Sequence, residues 1–236
     1  MLPLAFEMPE YTANVGALGT LRILEGVKKN DMADLLKFIK HQPVMLYGLL
    51  QETPQSESTP FHPRSLYGVA KLHGFLITKN YREAYDMFAC NGIQFYHENP
   101  RCGENFVTRK ITIGMSKVKL GLARKLALGN LNVRRDWRHA KDFVEAQWSL
   151  LQSDKPSDLV IATGQQFSIQ DFINKVANCL DMQLECESVG ITECAYWMNS
   201  SHKNDEPIIV EYKKYFPPTE VETSLGNPSC AEKILN

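Results

Sequence analysis

Pro60-Phe61-His62-Pro63-Arg64-Ser65-Leu66-Tyr67-Gly68-Val69-Ala70-Lys71 is the stretch whose reading decides the fold. Its prolines close a polar loop running from Gln51 to Arg64, and a helix is expected from about Ser65 to Met87. Tyr67 and Lys71 stand four residues apart, so on that helix they share one face. An ammonium near a phenol favours the phenolate, which lets a tyrosine act as a base near neutral pH. Alone, Y-x-x-x-K is a weak signal. Among nine tyrosines in a lysine-rich chain, chance supplies such a pair about as often as not, and an exposed helix pair without a role would look the same.

Upstream, Val15, Leu18, Leu21, Leu24 and Val27 recur every three residues, with Ile23 beside them. That spacing predicts a helix from Tyr11 to Lys29 with one apolar face. Leu36 to Tyr47 reads as a strand running into a loop. It contains Pro43, which lacks a ladder donor, so the strand ends there or lies at a sheet edge. Downstream, Asn91-Gly92 reads as a turn before a short strand, Gly92 to Tyr96. Helices are expected over Asn105–Leu120 and His139–Leu151. A buried strand, Leu159–Thr163, ends at Gly164, and Ser168 is placed to cap a helix from Ile169 to Leu180. The pattern weakens after Glu185, and 187–207 is not placed. Strands alternating with helices give an α/β class with a parallel sheet.

The bulk numbers exclude several alternatives. The chain has 236 residues, 44% hydrophobic and 22% charged, an ordinary globular balance with room for one sizeable core and a small lobe. A formal net charge of −1 argues against nucleic acid or an anionic membrane as a global partner. No apolar run is long enough to span a bilayer, and Met1–Glu10 lacks the basic start and apolar stretch of a signal peptide. Six cysteines occur without a C-x-x-C pair or zinc-finger histidine spacing. They read as reduced thiols of a cytoplasmic protein, with no metal site.

One further feature suits a phosphorylated ligand. Between Asn105 and Arg135 there is no acid, while Arg109, Lys110, Lys117, Lys119, Arg124, Lys125, Arg134 and Arg135 are basic. Arginine and lysine pair with diphosphate oxygens by charge-assisted hydrogen bonds. Taken alone, the run reads equally as a solvated basic face.

Read whole, the Pro60–Lys71 stretch resembles the P-x-S-x-Y-G-x-x-K motif of extended short-chain dehydrogenases. Glu10-Tyr11-Thr12-Ala13-Asn14-Val15, Leu46-Tyr47-Gly48, Asn105–Lys110, Leu128–Leu131, Arg135-Asp136-Trp137, His139–Asp142 and Pro218–Val221 narrow the resemblance. In order and spacing they are similar to the GDP-mannose 4,6-dehydratase family, nucleotide-sugar lyases that lead to GDP-fucose. The resemblance implies part of a Rossmann-type NAD(P)-binding domain over about 1–100. A smaller nucleotide-sugar portion is implied over about 101–236, with some segments returning to the first. It also implies a redox cycle on GDP-mannose. NADP takes a hydride from C4, water is lost across C5–C6, and the hydride returns to C6. Tyr67 matches the residue that takes the O4 proton. Lys71 matches the one that holds the cofactor ribose and tunes the tyrosine. Tyr11 and His97 match NADP contacts, and Asn105, Lys110, Arg135 and Glu220 fall in segments that contact the sugar nucleotide.

The departures are as informative. The family's G-x-x-G-x-x-G turn, which cradles the cofactor pyrophosphate, does not occur in this chain, and the resemblance implies an N-terminal truncation. At the C-terminal end, too, the resemblance implies that the family continues past Leu235-Asn236 into another helix. The family's S/T-x-E before L-Y-G reads Pro43-Val44-Met45 here, so the hydroxyl that positions O4 and the carboxylate that takes the C5 proton are both replaced. Cys102 stands for a cofactor-site arginine, and Pro217 for an arginine that clamps GDP. Residue by residue, an inactive or severely impaired homologue is expected. The alternative is a non-catalytic partner of intact family members, in a homo- or hetero-oligomer.

Overall fold

The computed structural model describes residues 5, 7–189, 192–198, 206–212 and 221–235. They form two units. One comprises the described residues up to His97, Asp136–Gln166 and the stretch from Ser224; the other comprises Glu98–Arg135 and the described part of Phe167–Thr223.

In the first unit the chain opens as a helix in three sections: α1 (Pro9–Ala13), a π-helical turn (Asn14–Leu18) and α2 (Gly19–Lys29). Pro9 stands in the first turn, where a missing N–H costs nothing. The single apolar face expected here is split. Leu24 is buried with Leu21 and Val27 packed beside it, whereas Val15 and Leu18 are exposed. A period of three drifts about 60° per step on a helix of 3.6 residues per turn, so five such residues cannot share a face. Small residues choose the contact instead. A Cβ added to Gly16 would lie 3.1 Å from Ala70 Cβ, and one on Gly74 would lie 3.1 Å from Thr20 Oγ1.

Those partners belong to α3 (Leu66–Tyr85), which opens where the sequence places it. The Ser65 hydroxyl accepts from the Gly68 amide at 3.0 Å, satisfying one free N–H of the first turn. The helix stops at Asp86, whose φ of 51° is left-handed.

Strand β1 (Phe38–Pro43) pairs in parallel with β2 (Ala89–Gln94), from Phe38 opposite Ala89 to Pro43 opposite Gln94. A third parallel strand, Asp158–Ile161, lies on the other side of β2. Pro43 meets both expectations: it is the last residue of its strand, and β1 is the terminal strand of the sheet. Asn91-Gly92 is not a turn. Both residues lie inside β2, buried along its whole length. The turn preference yields because Asn91 is satisfied across the sheet. Its Nδ2 donates to Asp158 Oδ1 at 2.9 Å, and Arg82 from α3 grips the same carboxylate at 2.8 and 2.7 Å.

After Pro43 a 3-10 turn, Val44–Leu46, leads to Gly48 with φ +54°. A Cβ there would sit 2.0 Å from the His62 carbonyl oxygen, so only glycine fits. Leu46, Tyr47, Phe75, Ile93, Phe95 and Phe143 make the main core, closed by the helix Ala140–Gln152. Buried Asp136 ties the unit's later segments together. It accepts from Thr163 N and Oγ1, Gly164 N and Gly226 N. Burial raises its carboxyl above the ordinary range against the opposing pull of these donors.

The second unit has a four-stranded sheet in the order Leu126–Leu128, Ile209–Glu211, Thr192–Trp197, Leu184–Val189. The first pair is parallel and the others antiparallel. Part of 187–207, unplaced by the sequence, thus lies in strands. The helix expected over Asn105–Leu120 runs Val107–Lys119 and packs on Ile169–Cys179. Ser168 caps the latter in a reciprocal box with Asp171, as its sequence suggests. Among the described residues no helix is long and apolar enough to cross a membrane.

Candidate active site

The start of α3 and the end of β1 meet at close quarters. A Cβ on Gly68 would lie 2.9 Å from Pro63 Cβ and 3.1 Å from the Met45 carbonyl oxygen. The glycine between Tyr67 and Lys71 is therefore what lets the Pro43–Leu46 turn approach the helix. Tyr67 and Lys71 are partly buried on one helical face, with Lys71 Nζ 5.5 Å from the Tyr67 ring centroid. The ammonium thus lies against the ring, in cation–π range. Burial raises the Tyr67 phenol above its ordinary value. Its direction is opposite to the lowering that the lysine alone would suggest, because burial disfavours the charged phenolate. Lys71 is pushed down to about 8, by burial first and then by the charge of Lys40.

Met45 is partly buried and packs against the main core. Pro43 ends β1 with extended backbone, φ −80° and ψ 151°. On the other side of β1, the His97 ring packs against His41 and Phe143, with centroids 5.2 Å apart in each case. His97 Nδ1 lies 3.1 Å from the Phe95 carbonyl, to which it donates. His41 was not singled out by the sequence reading. Burial, followed by His97, Lys71 and Lys40, depresses it to about 4. Lys40 and His41 side by side in a parallel strand were a legible anomaly, since such strands are usually apolar throughout. Tyr11 stands exposed on α1.

The first unit thus holds Tyr67, Lys71, Pro43, Met45, His97 and Tyr11. The other expected residues belong to the second unit. Asn105 is exposed just before the helix Val107–Lys119. Lys110, in its first turn, is partly buried, and burial lowers its amine. Arg135 lies in the two-residue strand Arg134–Arg135, opposite Phe167. Cys102 closes a tight turn in which its Sγ accepts from the Asn99 amide at 3.3 Å. Burial raises that thiol, the direction that disfavours a thiolate. Pro217 and Glu220 lie outside the described residues.

The sequence profile of the family described as GDP-mannose 4,6 dehydratase matches residues 2–236. The chain belongs to the GDP-mannose 4,6-dehydratase family. It is 49% identical over 237 aligned positions to the GDP-mannose 4,6-dehydratase of Vibrio cholerae serotype O1, covering 98% of this chain and 64% of that protein. Against GDP-mannose 4,6 dehydratase 2 of Caenorhabditis elegans identity is 50%, over 98% of this chain and 59% of the relative. The chain therefore spans about three fifths of the length of the relatives it matches. Among solved structures, RMD from Pseudomonas aeruginosa complexed with NADPH superposes with a TM-score of 0.81 at 22% identity. The match covers 100% of this chain and 71% of that one. That likeness shows the fold alone, a Rossmann-type α/β fold.

Proposed function

We propose that this chain is a GDP-mannose 4,6-dehydratase homologue that keeps the tyrosine–lysine pair of the redox step and has lost the base of the elimination step. The observation that carries the reading is Met45. The turn that bears it lies against the first turn of α3, beside Tyr67, and a thioether accepts no proton there. Loss of a positioned general base lowers the rate by roughly 10²–10⁴-fold. Pro43 adds to the defect, because the hydroxyl that would orient O4 is gone.

Tyr11, Lys71 and His97 would hold NADP, which supplies the acceptor and later donor of the hydride. Lys71 fits that role: it is a partly buried ammonium with no carboxylate partner among the described residues, next to Tyr67. Asn105, Lys110, Arg135 and Glu220 would hold GDP-mannose, in a cytoplasmic setting. Neither Cys102 nor Pro217 supplies the charge its family position calls for. Impaired turnover, rather than altered specificity, is the reading these changes support.

A second reading, an interaction partner of intact family members, is favoured by one surface. Leu66, Val69 and Leu76 form an exposed stripe on α3.

Incubating the chain with NADP⁺ and GDP-mannose, with a Tyr67→Phe control, tests the main reading. Keto-sugar formation should not exceed the control, and turnover above it would refute the reading. Calorimetric titration with NADP⁺ should give no micromolar binding.

A further inference from the structure

The helix Val107–Lys119 of the second unit ends in a closed knob. Gly121 takes the left-handed conformation, φ +70°. The Leu122 amide donates to the Lys117 carbonyl at 2.8 Å, and the Gly121 amide to that of Val118 at 3.0 Å. These are the two bonds that close many helices around a left-handed glycine. The Ala123 amide reaches the Lys117 carbonyl as well, at 3.2 Å. Lys117 to Ala123 are thereby folded back on themselves.

One usual part of this ending is missing. The residue after the glycine commonly packs its apolar side chain on the last turn of the helix. Here that residue is Leu122, and the position that would receive it is Lys117, which is exposed. Leu122 is 73% exposed, and Leu120 on the other side of the glycine is 71% exposed. A Cβ added to Gly121 would meet nothing within 4 Å, so the space beside the knob is open.

Cations flank the two leucines. Lys117, Lys119, Arg124 and Lys125 are exposed, and among the described residues none makes an ion pair. The sequence from Asn105 to Arg135 contains no acid. Lys119 Nζ lies over the Trp197 ring at 5.1 Å, at the end of the strand Thr192–Trp197. Lysines in a last helical turn complement the helix dipole, which accounts for Lys117 and Lys119. It accounts neither for Arg124 and Lys125 nor for the bare leucines.

Two projecting leucines ringed by four cations complement an anionic bilayer. The leucines would enter the acyl boundary, while the long basic side chains keep their charges at the headgroups. An acidic protein would need a much larger contact than one knob to hold stably. The net charge of −1 does not oppose such docking. The attraction is local, because exposed charges are screened beyond about 8 Å at physiological ionic strength.

We propose that the knob Lys117–Lys125 docks this protein on an anionic lipid surface, with Leu120 and Leu122 inserted. The proposal uses no residue of the candidate active site and rests on no reaction.

The full chain is mixed with vesicles of phosphatidylcholine alone, or of equal parts phosphatidylcholine and phosphatidylserine, and floated on a density gradient. It should float with the anionic vesicles only, and raised salt should release it. Leu120→Ser with Leu122→Ser should weaken binding at least about tenfold, and Leu122→Phe should keep it. Lys119→Gln with Arg124→Gln should also weaken it at least about tenfold. If either pair fails to fold, Leu122→Ser and Arg124→Gln singly are judged by the same direction. Equal flotation with neutral vesicles, no flotation with either, or undiminished binding in the variants would overturn the proposal. So would self-association of the chain that the serine pair abolishes while vesicle binding is absent, which would assign the knob to a contact between copies.

Discussion

The first turns of α3 and the turn that closes β1 touch one another, yet they have kept different things. The helix start keeps its frame and the two side chains of the family motif: Ser65 caps it, Gly68 admits the neighbouring turn, and Tyr67 and Lys71 share a face. The turn keeps only its frame. Leu46 and Tyr47 fill the core and Gly48 takes its left-handed conformation, while the two positions to which the proposed reading assigns chemistry are Pro43 and Met45. Both replacements are compatible with the fold. Proline is tolerated as the last residue of a terminal strand, and a methionine side chain adapts to the edge of an apolar cluster. Packing constrains this turn more tightly than chemistry does, so family likeness survives where function need not.

Breaking the frame should have the largest effect. Asp158 joins α3 to the sheet through Arg82, with side-chain exposures of only 16% and 14%. Asp158→Asn leaves that guanidinium unpaired and should cost about 3–5 kcal/mol in urea unfolding. Next in size is a pH effect centred on β1. His41 is held near 4, against an ordinary 6.5, so between those values the unfolded chain binds the proton more readily. The stabilisation from the neutral ring is complete above about pH 6.5 and is lost as pH falls toward 4. It amounts to about 3 kcal/mol at most. Unfolding followed across this range should show the fall, and His41→Phe should flatten it. Smaller still is the helix cap. Ser65→Ala should cost about 1 kcal/mol, read as a lower unfolding midpoint without a change in slope.

Much of this frame was legible in the sequence. The loop-to-helix step before Tyr67, the end of a strand at Pro43 and the cap at Ser168 rest on local rules, and tertiary contacts left them standing. Three other features depend on distant partners. The apolar face of α1–α2 was misjudged because Gly16 and Thr20, not the leucines, determine how closely the helix approaches Ala70 and Gly74. Asn91-Gly92 was read as a turn because nothing nearby announces Asp158, 67 residues on. The strand pair Leu184–Val189 and Thr192–Trp197 went unplaced because its charged and polar residues give no clear alternation. In the candidate site, the shared face of Tyr67 and Lys71 was legible from their spacing. The opposite sign of the phenol's shift was not, since it depends on burial.

The central claim is that Tyr67 and Lys71 remain in place beside a turn that no longer supplies a base. Pro43→Thr with Met45→Glu restores the two side chains, and keto-sugar formation from GDP-mannose with NADP⁺ measures the result. In a polypeptide of these 236 residues alone, which includes no Gly-rich turn, the double variant should remain inactive, because holding the reacting groups in register accounts for roughly 7–11 kcal/mol of barrier lowering. Fused behind a family strand, Gly-rich turn and helix, the same double variant should turn over weakly, with Cys102 and Pro217 limiting it. Turnover by the unfused double variant, or by the fused chain with Pro43 and Met45 unchanged, would contradict the account.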